Sequence, residues 1–170
     1  MTIKVSGVEI ISGQLYFVSD DFFTKIDDPY LKINLGETKR PHYFAVQDPV
    51  TALFWFVPCS SRVEKYEGII HSRERRGKPT DGIRIVSIQD KKAVLLFQDM
   101  FPIATHYIEA PYIRGGQIVR IADPKVIQDL EKNAKKVIAL LRHGIKFTPT
   151  QPNALRIESL MLEEIAYDIR

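Results

Sequence analysis

The chain has 170 residues, 45% of them hydrophobic and 26% charged, with a formal net charge of +3. A domain of that length buries roughly two-thirds or more of its unfolded surface, and this composition excludes disordered, collagen-like and coiled-coil chains. A single cysteine, Cys59, excludes both an internal disulfide and a thiolate zinc centre.

The opening MTIKVSGVEI has no long uncharged apolar core, so it does not read as a signal peptide. No apolar run approaches the roughly 20 residues that cross a bilayer. A cytoplasmic protein with no membrane partner is expected. Along the first two-thirds, short apolar runs rich in β-branched and aromatic residues read as strands: Val8 to Ile11, Leu15 to Val18, Tyr43 to Val46, Leu53 to Val57, Ile83 to Ile88 and Ala93 to Phe97. Breaks such as Ser12-Gly13, Asp48-Pro49 and Gln89-Asp90 separate them, and the pattern suggests one antiparallel, curled sheet. Between the second and third runs, Ser19 caps a short helix through Phe22, Phe23 and Ile26, ended by Asp28-Pro29. Residues 71–82, HSRERRGKPTDG, read as a polar loop, and Gly115-Gly116 as a turn.

The clearest helix comes late. Asp123 is a good N-cap and Pro124 suits the first helical position, where its missing N–H costs nothing. Val126, Ile127, Leu130, Ala134, Val137, Ile138 and Leu141 keep helical spacing until Gly144. After a loop at Thr148 to Gln151, Ile157, Leu160, Met161 and Ile165 predict a second helix. There is no repeat and no linker, so residues 1–170 are expected to form a single α+β domain.

Charge is unevenly spread. Residues 1–38 carry three Lys/Arg against six Asp/Glu, residues 39–92 eleven against six, and residues 93–170 ten against nine. Arg62, Lys65, Arg73, Arg75, Arg76 and Lys78 crowd the middle stretch, a pattern that suits a polyanion because each neutralised phosphate releases counterions. A solvated loop with no partner is the plain alternative.

Several chemistries drop out. His42, His71, His106 and His143 are scattered without metal-ligand spacing, so no metal is expected. There is no phosphate-binding GxxxxGK[ST] loop, no dinucleotide GxGxxG and no GxSxG elbow, so no cofactor is expected either. Cys59 follows an apolar strand and reads as a buried structural thiol. Trp55, Phe54 and Phe56 lie in a continuous apolar strand and read as core. What remains is a metal-free set. Lys39 and Arg40 precede one strand, and Ser60, Ser61 and Arg62 follow the next. Fixed cations and hydroxyls at neighbouring strand ends suit cleavage of RNA by its own 2′-hydroxyl, because attack builds charge on phosphate oxygens. A base and an acid complete such a set, and His42 is the nearby group that ordinarily titrates near neutrality.

Four segments at these positions resemble the toxins of type III toxin–antitoxin systems, the ToxN/AbiQ group with its CptN and TenpN relatives. They are DDPYLKIN, KRPHYFAVQ, LFWFVPCSSRVEKYEGII and LLFQDMFPIATHYI, followed by the long helix from Pro124 to Arg142. The resemblance implies a compact SH3-like antiparallel β-barrel, similar to MazF and Kid, decorated with helices and with a long helix near the C-terminus. It also implies a metal-independent endoribonuclease that leaves a 2′,3′-cyclic phosphate and a 5′-hydroxyl. The implied partners are target mRNA and a pseudoknot RNA antitoxin, which the toxin cuts from its precursor and with which it closes into a ring-like hetero-oligomer. Phage defence and plasmid maintenance are the roles such a system serves.

By position, Ser60 and Ser61 match the family's hydroxyl pair, the second being the stronger proton-relay candidate. Arg40, with Lys39 beside it, falls where other members carry lysine or arginine. Tyr30 matches an active-site tyrosine across a longer gap, and Lys65 a downstream basic residue. Arginine grips phosphate in a bidentate fashion but releases a proton poorly, so proton transfer would fall to Ser61, His42 or Lys39. The expected catalytic set is therefore Tyr30, Lys39, Arg40, His42, Ser60 and Ser61. Arg62, Lys65, Arg73, Arg75, Arg76 and Lys78 would bind RNA. The competing class is a non-catalytic RNA-binding barrel using the same basic surface.

Overall fold

The structure is a computed structural model that describes residues 2–5, 7–34 and 38–169. Strands β1 (Thr2–Val5) and β2 (Val8–Ile11) form an antiparallel hairpin. Among the described residues the main sheet has seven strands: β3 (Leu15–Val18), β4 (Pro41–Gln47), β5 (Phe54–Ser60), β6 (Arg84–Ile88), β7 (Lys91–Leu95), β8 (Phe101–Ile103) and β9 (Ile108–Pro111). Its order is β6-β7-β5-β4-β3-β9, every pairing is antiparallel, and β8 joins β5 beside β7. A last hairpin, β10 (Ile113–Arg114) with β11 (Gln117–Ile118), turns at Gly115 and Gly116, whose φ of 60° and 76° favour glycine.

Strand β5 organises this sheet. One edge pairs along β4, while the other is shared: Cys59 and Ser60 pair with β7, and Phe54 to Phe56 pair with β8. Two partners on one edge, plus bulges in the β4–β5 and β3–β9 ladders, curl the sheet. It does not close. No pairing joins β6 to β9 among the described residues, so the expected SH3-like barrel is here an open sheet.

Both faces of the sheet are covered, which is why β5 reads as an unbroken apolar run. On one face Tyr43, Trp55, Val57, Leu95 and Phe97 pack with Leu130, Ala134, Val137, Ile138 and Leu141 of helix α3 (Pro124–Arg142). On the other, Tyr16, Phe44, Phe54, Phe56 and Phe101 meet Phe22, Phe23 and Ile26 of α1 (Asp20–Ile26), with Ile157 and Met161 of α4 (Ala154–Asp168). Helices α1 and α3 start where the sequence places them, and α4 starts at the N-cap Asn153. Ser19 Oγ accepts from Asp21 N–H at 3.2 Å, Asp123 accepts from Lys125 N–H at 2.9 Å, and Asn153 accepts from Arg156 N–H at 3.1 Å.

One element departs from expectation. Helix α2 (Val63–Arg75) occupies the first half of the stretch read as a polar loop, so His71 to Arg75 are helical. Val63, Tyr66, Ile69 and Ile70 give it a thin apolar stripe, packed on Ile83, Val94 and Leu96. Only Arg76 to Ile83 connects α2 to β6.

Candidate active site

The β4–β5 ladder pairs Tyr43 with Val57 and His42 with Pro58, and continuing that register sets Arg40 opposite Ser60. The Arg40 guanidinium completes the junction: its Nη1 donates to the Cys59 carbonyl at 2.7 Å. Arg40 is therefore fixed beside the strand end that carries Ser60 and Ser61. All three line an open cleft of about 520 Å³, together with Lys39, Arg62, Lys91, Lys92 and Arg114. That makes six cationic side chains and no carboxylate among the described lining residues. Tyr112 also faces the cleft, with Phe17 edge-on to its ring at 5.2 Å.

The two hydroxyls have different work. Ser60 Oγ accepts from Arg62 N–H at 3.2 Å and so shapes the turn from β5 into α2. Ser61 is exposed, and its side chain enters no hydrogen bond among the described residues. Helix α2 begins directly after it. Arg62 is the N-cap residue and offers no side-chain cap, and Val63 N–H turns back to the Ser61 carbonyl at 2.9 Å, so the positive end of a 13-residue helix follows Ser61 on the cleft wall. This arrangement attracts an oxyanion.

The cations are also graded. Lys39 is ion-paired with Glu109, and that hydrogen bond holds its ammonium above the ordinary lysine range. Lys39 therefore keeps its proton. Lys92 pairs with Glu67 at 3.1 Å, and Arg114 donates to the Ile88 carbonyl at 3.1 Å. Lys91 and Arg62 enter none of the ion pairs among the described residues.

Of the residues singled out by sequence, Lys39, Arg40, Ser60, Ser61 and Arg62 converge on the cleft. The others do not line it. His42 is 0% exposed and set against the rings of Phe23 and Phe101. Its Nδ1 lies 3.0 Å from the Arg40 carbonyl, which can only accept, so Nδ1 carries the proton and Nε2 is a bare, unpartnered acceptor. Burial pushes His42 down to about 3, so it stays neutral and sealed from the cleft. It is a core histidine set behind the cleft wall. Cys59 is buried as expected, its thiol pushed up by burial to about 12.

Tyr30 is 44% exposed on the turn after α1, where its N–H donates to Asp28 Oδ1 at 2.8 Å; it is absent from the cleft wall. Lys65 sits on α2 with its ammonium 5.2 Å from the Tyr66 ring centre. Arg73 donates to the carbonyls of Pro79 and Phe147, so it ties α2 to neighbouring loops. Arg75, the last residue of that helix, and Arg76 and Lys78 just beyond it are exposed. The basic run is therefore divided: Arg62 stands at the cleft and Arg73 to Lys78 lie at the opposite end of α2. Lys91, Lys92, Tyr112 and Arg114 are cleft residues that the sequence reading did not identify. The adjacent pair Lys91-Lys92 was the available signal, but its meaning depends on β7 lying beside β5.

No family model matches the chain, and no curated protein sequence matches it. Among solved structures, it is similar to AbiQ, described as a lactococcal anti-phage endoribonuclease belonging to the type-III toxin-antitoxin system. The TM-score is 0.68 and the identity 10%, over 94% of this chain and 100% of that one. No helix among the described residues is long and apolar enough to cross a membrane. An open antiparallel sheet between helices, in the fold shared with AbiQ, is thus the frame that carries the cleft.

Proposed function

We propose that the chain is a single-domain, cytoplasmic endoribonuclease toxin of a type III toxin–antitoxin system, working without a metal in the cleft between β4, β5 and β7. The observation that supports this most is the bond from Arg40 to the Cys59 carbonyl, which fixes a guanidinium on the same cleft wall as the Ser61 hydroxyl at the start of α2. The likeness to AbiQ supports the same reading.

In this reading the strand lies along the six cations with one phosphate between Arg40, Ser61 and the α2 N-terminus. The 2′-oxygen attacks the adjacent phosphorus, its proton passing to the Ser61 hydroxyl and on to water. The bond to the 5′-oxygen breaks, leaving a 2′,3′-cyclic phosphate, and the 5′-oxygen takes a proton from water in the open cleft. Arg40 and the helix amides hold the charge that builds on the non-bridging oxygens. Arg40 and Lys39 act by charge, the Lys39 proton being held by its hydrogen bond to Glu109. The antitoxin is a pseudoknot RNA cut from its precursor by the same cleft, and toxin and RNA close into a ring.

Incubating the purified protein with RNA in EDTA tests this. Fragments ending in 2′,3′-cyclic phosphate and beginning with 5′-hydroxyl are the expected result. Intact RNA that remains bound would instead identify a non-catalytic RNA-binding protein.

A further inference from the structure

The bank of the cleft that faces away from Arg40 and Ser61 is built differently. Past Pro111 the chain keeps its place beside β3: Tyr112 N–H donates to the Leu15 carbonyl at 2.8 Å, and Val119 N–H donates to the Tyr112 carbonyl at 2.9 Å. Tyr112 and Arg114 are two residues apart on extended chain, so they project to one side, and both line the cleft. Ile113 between them is exposed and pairs with Ile118. The Tyr112 ring stands at 85° to that of Phe17, centroids 5.2 Å apart, which fixes its orientation. Its hydroxyl enters no hydrogen bond among the described residues. Arg114 is held as firmly. Its Nη2 donates to the Ile88 carbonyl at 3.1 Å and its Nε to Gln89 Oε1 at 3.3 Å, while Gln89 Nε2 donates back to the Ile118 carbonyl at 3.4 Å. Those bonds occupy one edge of the guanidinium and leave Nη1 without a partner among the described residues. Leu15, Ile88 and Val119 give the cleft an apolar floor here. Two strand spacings, about 10 Å, separate Tyr112 from β4, whose start carries Arg40.

We propose that Tyr112 and Arg114 form a subsite for one purine base flanking the scissile linkage: the base stacks on the Tyr112 ring and its N7 accepts from Arg114 Nη1. This rests on the reading of the cleft as an RNA site. Phosphate contacts place a strand, and contacts to a base make the choice of sequence. An unpaired base needs a flat aromatic partner and a surface that excludes water, and a ring fixed over an apolar floor supplies both. Stacking alone tolerates any base and favours the larger ring system. The guanidinium adds the discrimination. It can only donate, so it selects an edge that presents an acceptor, and N7 is the acceptor that both purines carry and pyrimidines lack. Because Ile88 and Gln89 already hold Arg114 in place, little side-chain freedom is lost when the base arrives.

The test uses full-length protein and 2′-O-methyl RNA oligonucleotides, which bind but cannot be cut. Each purine of one sequence is replaced in turn by its 7-deaza counterpart, and affinity is read by fluorescence anisotropy. One position, beside the linkage cut in unmodified RNA, should lose about tenfold in affinity on replacement. That penalty should vanish in Arg114→Ala. Tyr112→Leu should weaken binding about tenfold or more, and Tyr112→Phe, which keeps the ring, should restore most of it. If Tyr112→Leu does not fold, 2-aminopurine at the same position gives the answer in the parent, because its fluorescence is quenched when the base stacks. Equal affinity for natural and 7-deaza oligonucleotides at every position, or a 7-deaza penalty that survives in Arg114→Ala, overturns this inference alone. So does unquenched 2-aminopurine in a bound oligonucleotide. No binding of any oligonucleotide overturns the RNA reading together with it.

Discussion

The assignment of His42 to the core has a measurable consequence for stability. In the unfolded chain its imidazole takes a proton below about 6.5, whereas in the fold it does so only near 3. Between those limits protons bind the unfolded chain preferentially, so the stability this residue contributes is full above pH 6.5 and drains away as the pH falls toward 3. Each pH step below 6.5 costs about 1.4 kcal/mol, so moving from pH 7.5 to 5 should remove about 2 kcal/mol. His42→Leu abolishes that loss but leaves the Arg40 carbonyl without its donor, a penalty of about 1–3 kcal/mol at either pH. The stability advantage of the parent over His42→Leu should therefore shrink by about 2 kcal/mol between pH 7.5 and 5. In a chain of this length that is about 4–8 °C in Tm. Asp99 has the opposite pH dependence, its folded form holding a proton more tightly, but it is common to both proteins and cancels in the difference. Urea and thermal melts of both proteins at the two pH values measure this directly. A difference that stays constant with pH would show that burial does not hold His42 neutral. Loss of RNA cleavage in a well-folded His42→Leu would return the residue to the reaction.

Other expectations follow from charge and burial elsewhere in the fold. The Arg142 guanidinium bonds Asp48 at 2.6 Å and Glu158 at 2.8 Å, joining α3 to the β4–β5 turn and to α4. Burial alone would push the Asp48 carboxyl up, but Arg142 and the N–H groups of Val50 and Thr51 hold it below the usual range. Arg142→Ala should thus cost about 1–3 kcal/mol near neutrality, and less as the pH falls below the ordinary carboxylate range, read by denaturant titration. Cys59 should resist a thiol reagent such as DTNB in the native protein and react fully in urea; rapid native labelling would contradict its burial. Six cations along one cleft imply strong salt dependence. With about five single-stranded phosphates neutralised, affinity should fall about a hundredfold between roughly 50 and 200 mM salt. A flat salt profile in fluorescence anisotropy would place the RNA elsewhere.

Much of this fold was legible because its strong signals are local. Capping residues at Ser19 and Asp123 and the apolar stripe from Val126 to Leu141 specify helices α1 and α3 without help from the rest of the chain. Helix α2 was hidden by composition. Its four apolar stripe residues are diluted by eight charged or polar ones and by Gly68, and the stripe gains meaning only against Ile83, Val94 and Leu96. Openness of the sheet is likewise a non-local property, set by where β6 and β9 end up. At the site, Arg40 and Ser61 were readable because two sequential strands form a hairpin-like pair with their polar ends together. Burial decided the fate of His42, and sequence carries little information on burial for one histidine between two apolar strands. The cleft wall made by Lys91, Lys92 and Arg114 depends on β7 crossing to the far edge of β5, which strand patterns alone do not specify.

The most direct measurement is a double-mutant cycle on single-turnover RNA cleavage by the parent, Arg40→Ala, Ser61→Ala and the double variant, with folding confirmed by matched melts. If the guanidinium and the hydroxyl act on one phosphate, each single change lowers the rate by about a hundredfold or more, and the double variant is barely slower than the worse single one. Losses that simply multiply, or parent-like rates in either single variant, would contradict a shared reaction centre at the end of β5.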